Sequence, residues 1–155
     1  MAKFPNEMHL VKGLDPIADA FSGTVYSDVV EVQGDGIQFI IYKGVGTTGT
    51  STITINACDD VTPTTESAVA FWYRKATTGD TWGDWTAATT SGFATTAGSS
   101  QLYQIVVPAD QIVASAEYGY ARLKAVEVVN DPVLGGILCG VYGLRNAEQP
   151  STLIT

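Results

Sequence analysis

Turn-forming residues interrupt this chain about every ten residues, a spacing that belongs to antiparallel β-sandwiches and barrels. Clusters of Gly, Pro, Asn, Asp and Thr alternate with short runs rich in Val, Ile, Thr, Phe and Tyr. Such runs are too short for core helices, and their residue types suit a pleated, half-buried surface. The pattern predicts an all-β fold, an antiparallel β-sandwich with a jelly-roll-like arrangement among its options. Strands are expected at 25–33, 37–43, 50–57, 68–75, 82–87, 102–107, 121–129 and 135–144.

Period-two alternation assigns faces within several of these runs. Ile53, Ile55 and Ala57 point one way, and Thr52, Thr54 and Asn56 the other. Val69, Phe71 and Tyr73 alternate with Ala70, Trp72 and Arg74. Phe39 and Ile41 oppose Ile40 and Tyr42, which predicts a strand buried on both sides. Gly34-Asp35-Gly36 and the 44–49 stretch supply turn conformations, and Pro132 marks a break because it cannot donate a ladder hydrogen bond. One short helix is expected at 108–117, opening at Pro108 with Ile112 and Val113 packed inward. The 86–100 loop is rich in Thr, Ala, Gly and Ser, and Phe93 is its one anchor.

Two stretches lack a sustained period. Residues 1–22 and 146–155 read as extended arms flanking a sandwich domain over 23–145. The N-terminal stretch carries Phe4, Met8, Leu10, Leu14, Ile17 and Phe21, too many apolar side chains for a solvated tail. They are expected to lie on something, either the chain's own body or a neighbour; anchoring to a partner is the leading reading, and removal of residues 1–14 is then expected to leave the sandwich nearly as stable.

Charge narrows the partners. Eight Lys and Arg against sixteen Asp and Glu give a net charge of −8. That sign argues against nucleic acid or an anionic membrane, since both need clustered cations. A 45% hydrophobic and 15% charged composition is that of a folded domain. The N-terminus shows no signal-peptide run, and the apolar stretch 133–144 is broken by glycines and too short to span a bilayer. A soluble protein made in the cytosol is expected.

Catalytic patterns are weak. The single histidine, His9, falls in the N-terminal arm, a poor place to hold a base within hydrogen-bond reach. Cys58 and Cys139 have no CxxC partner, and no HxxxH pair exists. They read as two buried thiols, with one disulfide as the alternative if they sit on facing strands. Asp59-Asp60, with Glu66 or Asp35 near in space, could bind calcium, but the EF-hand loop spacing is missing and a solvated turn accounts for them. Gly44-Val45-Gly46 opens no helix, so it is not a phosphate cradle. No catalytic residue, cofactor site or metal site is assigned. The aromatics Trp72, Trp82 and Trp85 form a candidate exposed patch that could stack a sugar or meet a protein, or cover a sheet edge.

A family resemblance adds to this. The segments 13–24 (GLDPIADAFSGT), 26–30 (YSDVV), 39–51 (FIIYKGVGTTGTS), 57–60 (ACDD) and 122–127 (RLKAVE) resemble small virion proteins of tailed phages. The likeness runs from about residue 13 to 145, through turns and strand ends rather than catalytic signatures. It implies a capsid decoration, or cement, protein: a sandwich with arms that binds the major capsid protein lattice on the outside of the head. It implies localisation in the virion and self-association, a trimer first and a dimer next. A tail or head–tail connector part, and a carbohydrate-binding module for host attachment, are the alternatives. The last of these requires Trp82 and Trp85 exposed in one plane.

Overall fold

The structure is a computed structural model, described here for residues 8–114 and 118–144. The strands are β1 (Met8–Ile17), β2 (Thr24–Tyr26), β3 (Val30–Glu31), β4 (Gly36–Lys43), β5 (Thr50–Cys58), β6 (Glu66–Val69), β7 (Phe71–Ala76) and β8 (Thr86–Ala88). They continue with β9 (Phe93–Ala94), β10 (Gln101–Pro108), β11 (Tyr120–Val129) and β12 (Gly135–Tyr142); the helix α1 (Ala109–Val113) follows β10. The first sheet has the order β1-β12-β4-β10-β7-β8. The second runs β2-β11-β5-β6, with β3 also on β11 and β9 also on β5. Every pairing is antiparallel. The antiparallel sandwich expected from the sequence is therefore the fold.

The core lies between the sheets and follows the alternation. β4 sends Ile37, Phe39 and Ile41 inward, β5 sends Ile53 and Ile55, and β10 sends Tyr103, Ile105 and Val107. Each of these side chains is fully sequestered, which is the main stabilising term in a fold of this size. On the outer side of β4, Gln38 is buried and Ile40 half-buried as expected, but Tyr42, expected to be buried, is 58% exposed.

Several boundaries move for identifiable reasons. The expected strand 25–33 is split around Ser27–Asp28, where Ser27 Oγ accepts a 2.9 Å bond from Leu123 N and Asp28 N donates 2.7 Å to Gly13 O. The expected strand 68–75 is split at Ala70. Its first half, β6, joins the second sheet and its second half, β7, the first. Of the expected strand 82–87 only Thr86 and Ala87 pair, as part of β8. α1 ends at Val113; Ile112 is fully buried, but Val113 faces outward.

The N-terminal arm is the largest correction. From Met8 onward the segment is an edge strand, paired with β12 from Met8↔Tyr142 to Ile17↔Gly135. Register shifts between Lys12 and Leu14, and between Leu14 and Ile17, break the period-two pattern that would have revealed a strand. Gly13 lies against Cys139: a Cβ there would sit 2.3 Å from Cys139 Sγ. Leu14 packs on the core and Phe21 is 7% exposed within it, so residue 22 does not mark the edge of the folded body. Met8 is half-buried, while Leu10 and Ile17 are exposed. Phe4 and the 146–155 segment lie outside the described residues.

Candidate functional site

The outward side of the first sheet is built from alternate residues of β12, β4 and β10. These are Gly136, Leu138 and Gly140; Gln38, Ile40 and Tyr42; and Leu102, Gln104 and Val106. None is a carboxylate, although the chain carries a net charge of −8. Leu138 is 48% exposed, and Leu10 and Leu134 are also open to solvent. Gly136 leaves a gap in this surface. Over it lies an open groove of about 400 Å³, walled by Leu14, Pro16, Ile40, Tyr42, Leu134 and Leu138. Lys12 and Asp15 pair at its rim, 3.6 Å apart.

The outward side of the second sheet contrasts with this. It presents Thr52, Thr54, Arg122 and Lys124. Arg122 pairs with Glu66 at 2.8 Å and lies 3.8 Å over the Tyr26 ring. The outward side of the first sheet thus has its exposed apolar side chains gathered around β12 and the Gly136 groove, where the second sheet places charged and hydroxyl groups. A contiguous exposed apolar surface on a folded domain marks a contact site.

The tryptophans divide into two groups. Trp82 and Trp85 close on the Arg74 guanidinium, with ring centroids 4.6 and 4.8 Å from its central carbon. Arg74 Nε donates 2.7 Å to Gln104 Oε1, and Gln104 Nε2 donates 3.1 Å to Gln38 Oε1. The result is a cation–π clasp tied by a glutamine ladder across the outward side of three strands. Sequence reasoning missed Arg74, Gln104 and Gln38; the available signal was Arg74 on the same face as Trp72. Trp72 stands apart from the clasp and is 49% exposed.

The other candidates are engaged structurally. Asp59 accepts from Thr64 Oγ1 at 2.6 Å and from Thr64 N at 3.1 Å, and these bonds hold its carboxyl below the usual range. Asp131 accepts from Thr47 Oγ1 and from Thr48 N, which lowers it to about 2. It thereby joins the β4–β5 loop to the turn before β12. Glu66 is held by Arg122. Among the described residues, no three His, Cys, Asp or Glu side chains converge. His9 sits in β1, opposite Val141, rather than on a free arm. Lys43 is buried; its Nζ donates 2.8 Å to Gly49 O and 2.6 Å to Thr96 O, and burial lowers its pKa.

Cys58 is on β5 of the second sheet and Cys139 on β12 of the first, both buried and free. Burial pushes the thiols up to about 11 and about 12. The thiolate is the reactive species, so neither should be alkylated by iodoacetamide in the native protein at neutral pH. Both should react in denaturant, and mass spectrometry reads the difference. Rapid native labelling of either would contradict this packing.

No helix is long and apolar enough to cross a membrane among the described residues. Compared with family models, curated proteins and solved structures, the chain has no significant match.

Proposed function

We propose that this chain is a phage virion structural protein that decorates the outer surface of the head, acting by binding rather than by catalysis. The observation that carries the reading is the apolar, carboxylate-free side of the first sheet on an acidic chain. An acidic body stays dispersed and off DNA, while this side, whose charged Lys12 and Arg74 are each engaged within the chain, can meet a protein surface without burying unpaired charge. The resemblance of segments 13–24, 39–51 and 122–127 to phage virion proteins supports the same reading. The partner is then the major capsid protein lattice. Many copies, each weakly held, stabilise such a lattice collectively. Self-association, as a trimer first or a dimer next, would place copies on symmetry axes. Nucleic acid and membrane are not its partners, and the virion surface is its location.

A tail or head–tail connector role is the second reading, and it places the same sheet side inside a ring. As a sugar platform, the Trp82–Trp85 pair is disfavoured, because both rings are turned onto Arg74.

The test is binding to capsids of the parent virus stripped of this protein. Leu138→Asp combined with Tyr42→Asp should weaken binding about tenfold or more, with the thermal midpoint nearly unchanged because both side chains are exposed. Thr54→Asp, on the opposite side of the sandwich, should bind as wild type. Equal binding by all three proteins would sink the assigned face. Density for the chain on the tail alone in a particle map would select the connector reading.

A further inference from the structure

A second cavity lies at the other edge of the first sheet, away from the Gly136 groove. It is an open cleft of about 410 Å³ among β7, β8, β10 and α1. That volume is in the range of small-molecule sites. One wall is the indole of Trp72, 49% exposed. Small residues beside it, Ala70, Ala87 and Pro108, leave the indole accessible. Ala87 is directly opposite Trp72 in the β7–β8 register, so no bulky neighbour covers it from that strand. The far side of the cleft is lined by Asp110 and Gln111 of α1. Both residues are exposed on α1, and neither side chain hydrogen-bonds to another described residue.

We propose that this cleft binds a neutral saccharide, with Trp72 as the stacking platform and Asp110 and Gln111 as the hydroxyl-reading groups. A pyranose ring has a flat C–H face and a rim of hydroxyls. The C–H face packs on an aromatic ring, and the hydroxyls need planar groups that both accept and donate. A carboxylate accepts, and a primary amide does both. The unspent polar capacity of Asp110 and Gln111 matches that rim. An anionic ligand is disfavoured because Asp110 would repel it. A quaternary ammonium is disfavoured because it needs several rings around it; of the two aromatics lining this cleft, Phe71 is buried and only Trp72 is exposed. The site is independent of docking through Leu138 and Tyr42, so either can fail without the other.

The experiment uses the full chain with neutral oligosaccharides built from glucose, galactose, mannose or N-acetylglucosamine. Tetramethylammonium and a sialylated oligosaccharide serve as comparison ligands. Binding is followed by calorimetry and by the NMR signals of the indole N–H groups. At least one neutral oligosaccharide should bind with a Kd of about 1 mM or tighter. It should shift the Trp72 indole signal more than those of Trp82 and Trp85. Trp72→Ala should weaken binding about tenfold or more, Gln111→Ala should weaken it about threefold, and Trp85→Ala should leave it unchanged. The indole shift in the wild-type protein keeps the test informative if Trp72→Ala folds poorly. No binding by any neutral oligosaccharide at about 10 mM would overturn the proposal. So would preferential binding of either comparison ligand, or binding that moves Trp82 or Trp85 instead of Trp72.

Discussion

Replacing Phe93 by alanine is expected to destabilise the protein by about 3–5 kcal/mol, the cost of emptying a buried aromatic site. Phe93 lies in a stretch that the sequence reads as a loop, but it forms the short strand β9, opposite Ile53, and is only 7% exposed. It stacks on Tyr73 at 4.0 Å with the rings 4° apart, meets Phe71 edge-on at 6.1 Å and tilts against Tyr103 at 5.7 Å. Four rings from β7, β9 and β10 thus share one cluster. The loop that carries Phe93 also supplies the Thr96 carbonyl to buried Lys43, and Thr96 N donates 2.8 Å to the Tyr103 hydroxyl. Loss of the ring therefore loosens the polar contacts that satisfy Lys43. The preceding turn is equally constrained. Gly92 has φ +73°, and a Cβ there would lie 1.9 Å from Ile53 O. Urea denaturation should show a lower midpoint for Phe93→Ala with a similar slope. A loss under about 1 kcal/mol would mean that the loop is peripheral to the core.

Removing residues 1–14 is expected to cost about 2–4 kcal/mol, a large share of the stability of an ordinary domain. The sequence pattern pointed the other way, to a dispensable arm. β1 supplies the whole pairing edge of β12 from Met8↔Tyr142 to Lys12↔Leu138. Val11 and Leu14 pack against the core, and Gly13 covers Cys139. The Gly13 carbonyl also takes the Asp28 amide, so deletion frees the chain between β2 and β3. Thermal unfolding of the truncated chain measures the loss. Native iodoacetamide labelling reports whether Cys139 becomes reachable. An unchanged midpoint with Cys139 still protected would restore the dispensable arm. The deletion would also expose a long β12 edge ready to pair with another chain, so the truncated protein should associate more readily than the full one.

Some of the site was legible in the chain and some was not. Phe93 stood out as the one aromatic in a loop of Thr, Ala, Gly and Ser, and it is the loop's anchor. The Trp82–Trp85 spacing suggested a surface pair, and the pair exists. Its target, Arg74, was hidden because nothing local tells a tryptophan which cation it will meet. The apolar groove was invisible for a related reason. Leu14, Ile40, Leu134 and Leu138 come from distant parts of the chain; Leu14 reads as part of an arm and Ile40 as a side chain buried within its strand, so nothing local joins them.

The sequence by itself determined the strand-rich class and, in the β5 and β6–β7 runs, which side chains share a side. Those are local properties: turn residues set where strands stop, and a period of two sets which side chains share a side. Only the tertiary structure decided which sheet each strand joins. Val69 and Phe71 obey one unbroken alternation, yet β6 and β7 belong to opposite sheets. The same holds for β1, whose bulged pattern becomes a strand only because β12 offers an edge more than a hundred residues away along the chain. Alternation orients a side chain relative to its neighbours in the strand. Sheet membership is set by hydrogen bonds and packing between distant segments, whose closure cost and gain no short window of sequence contains.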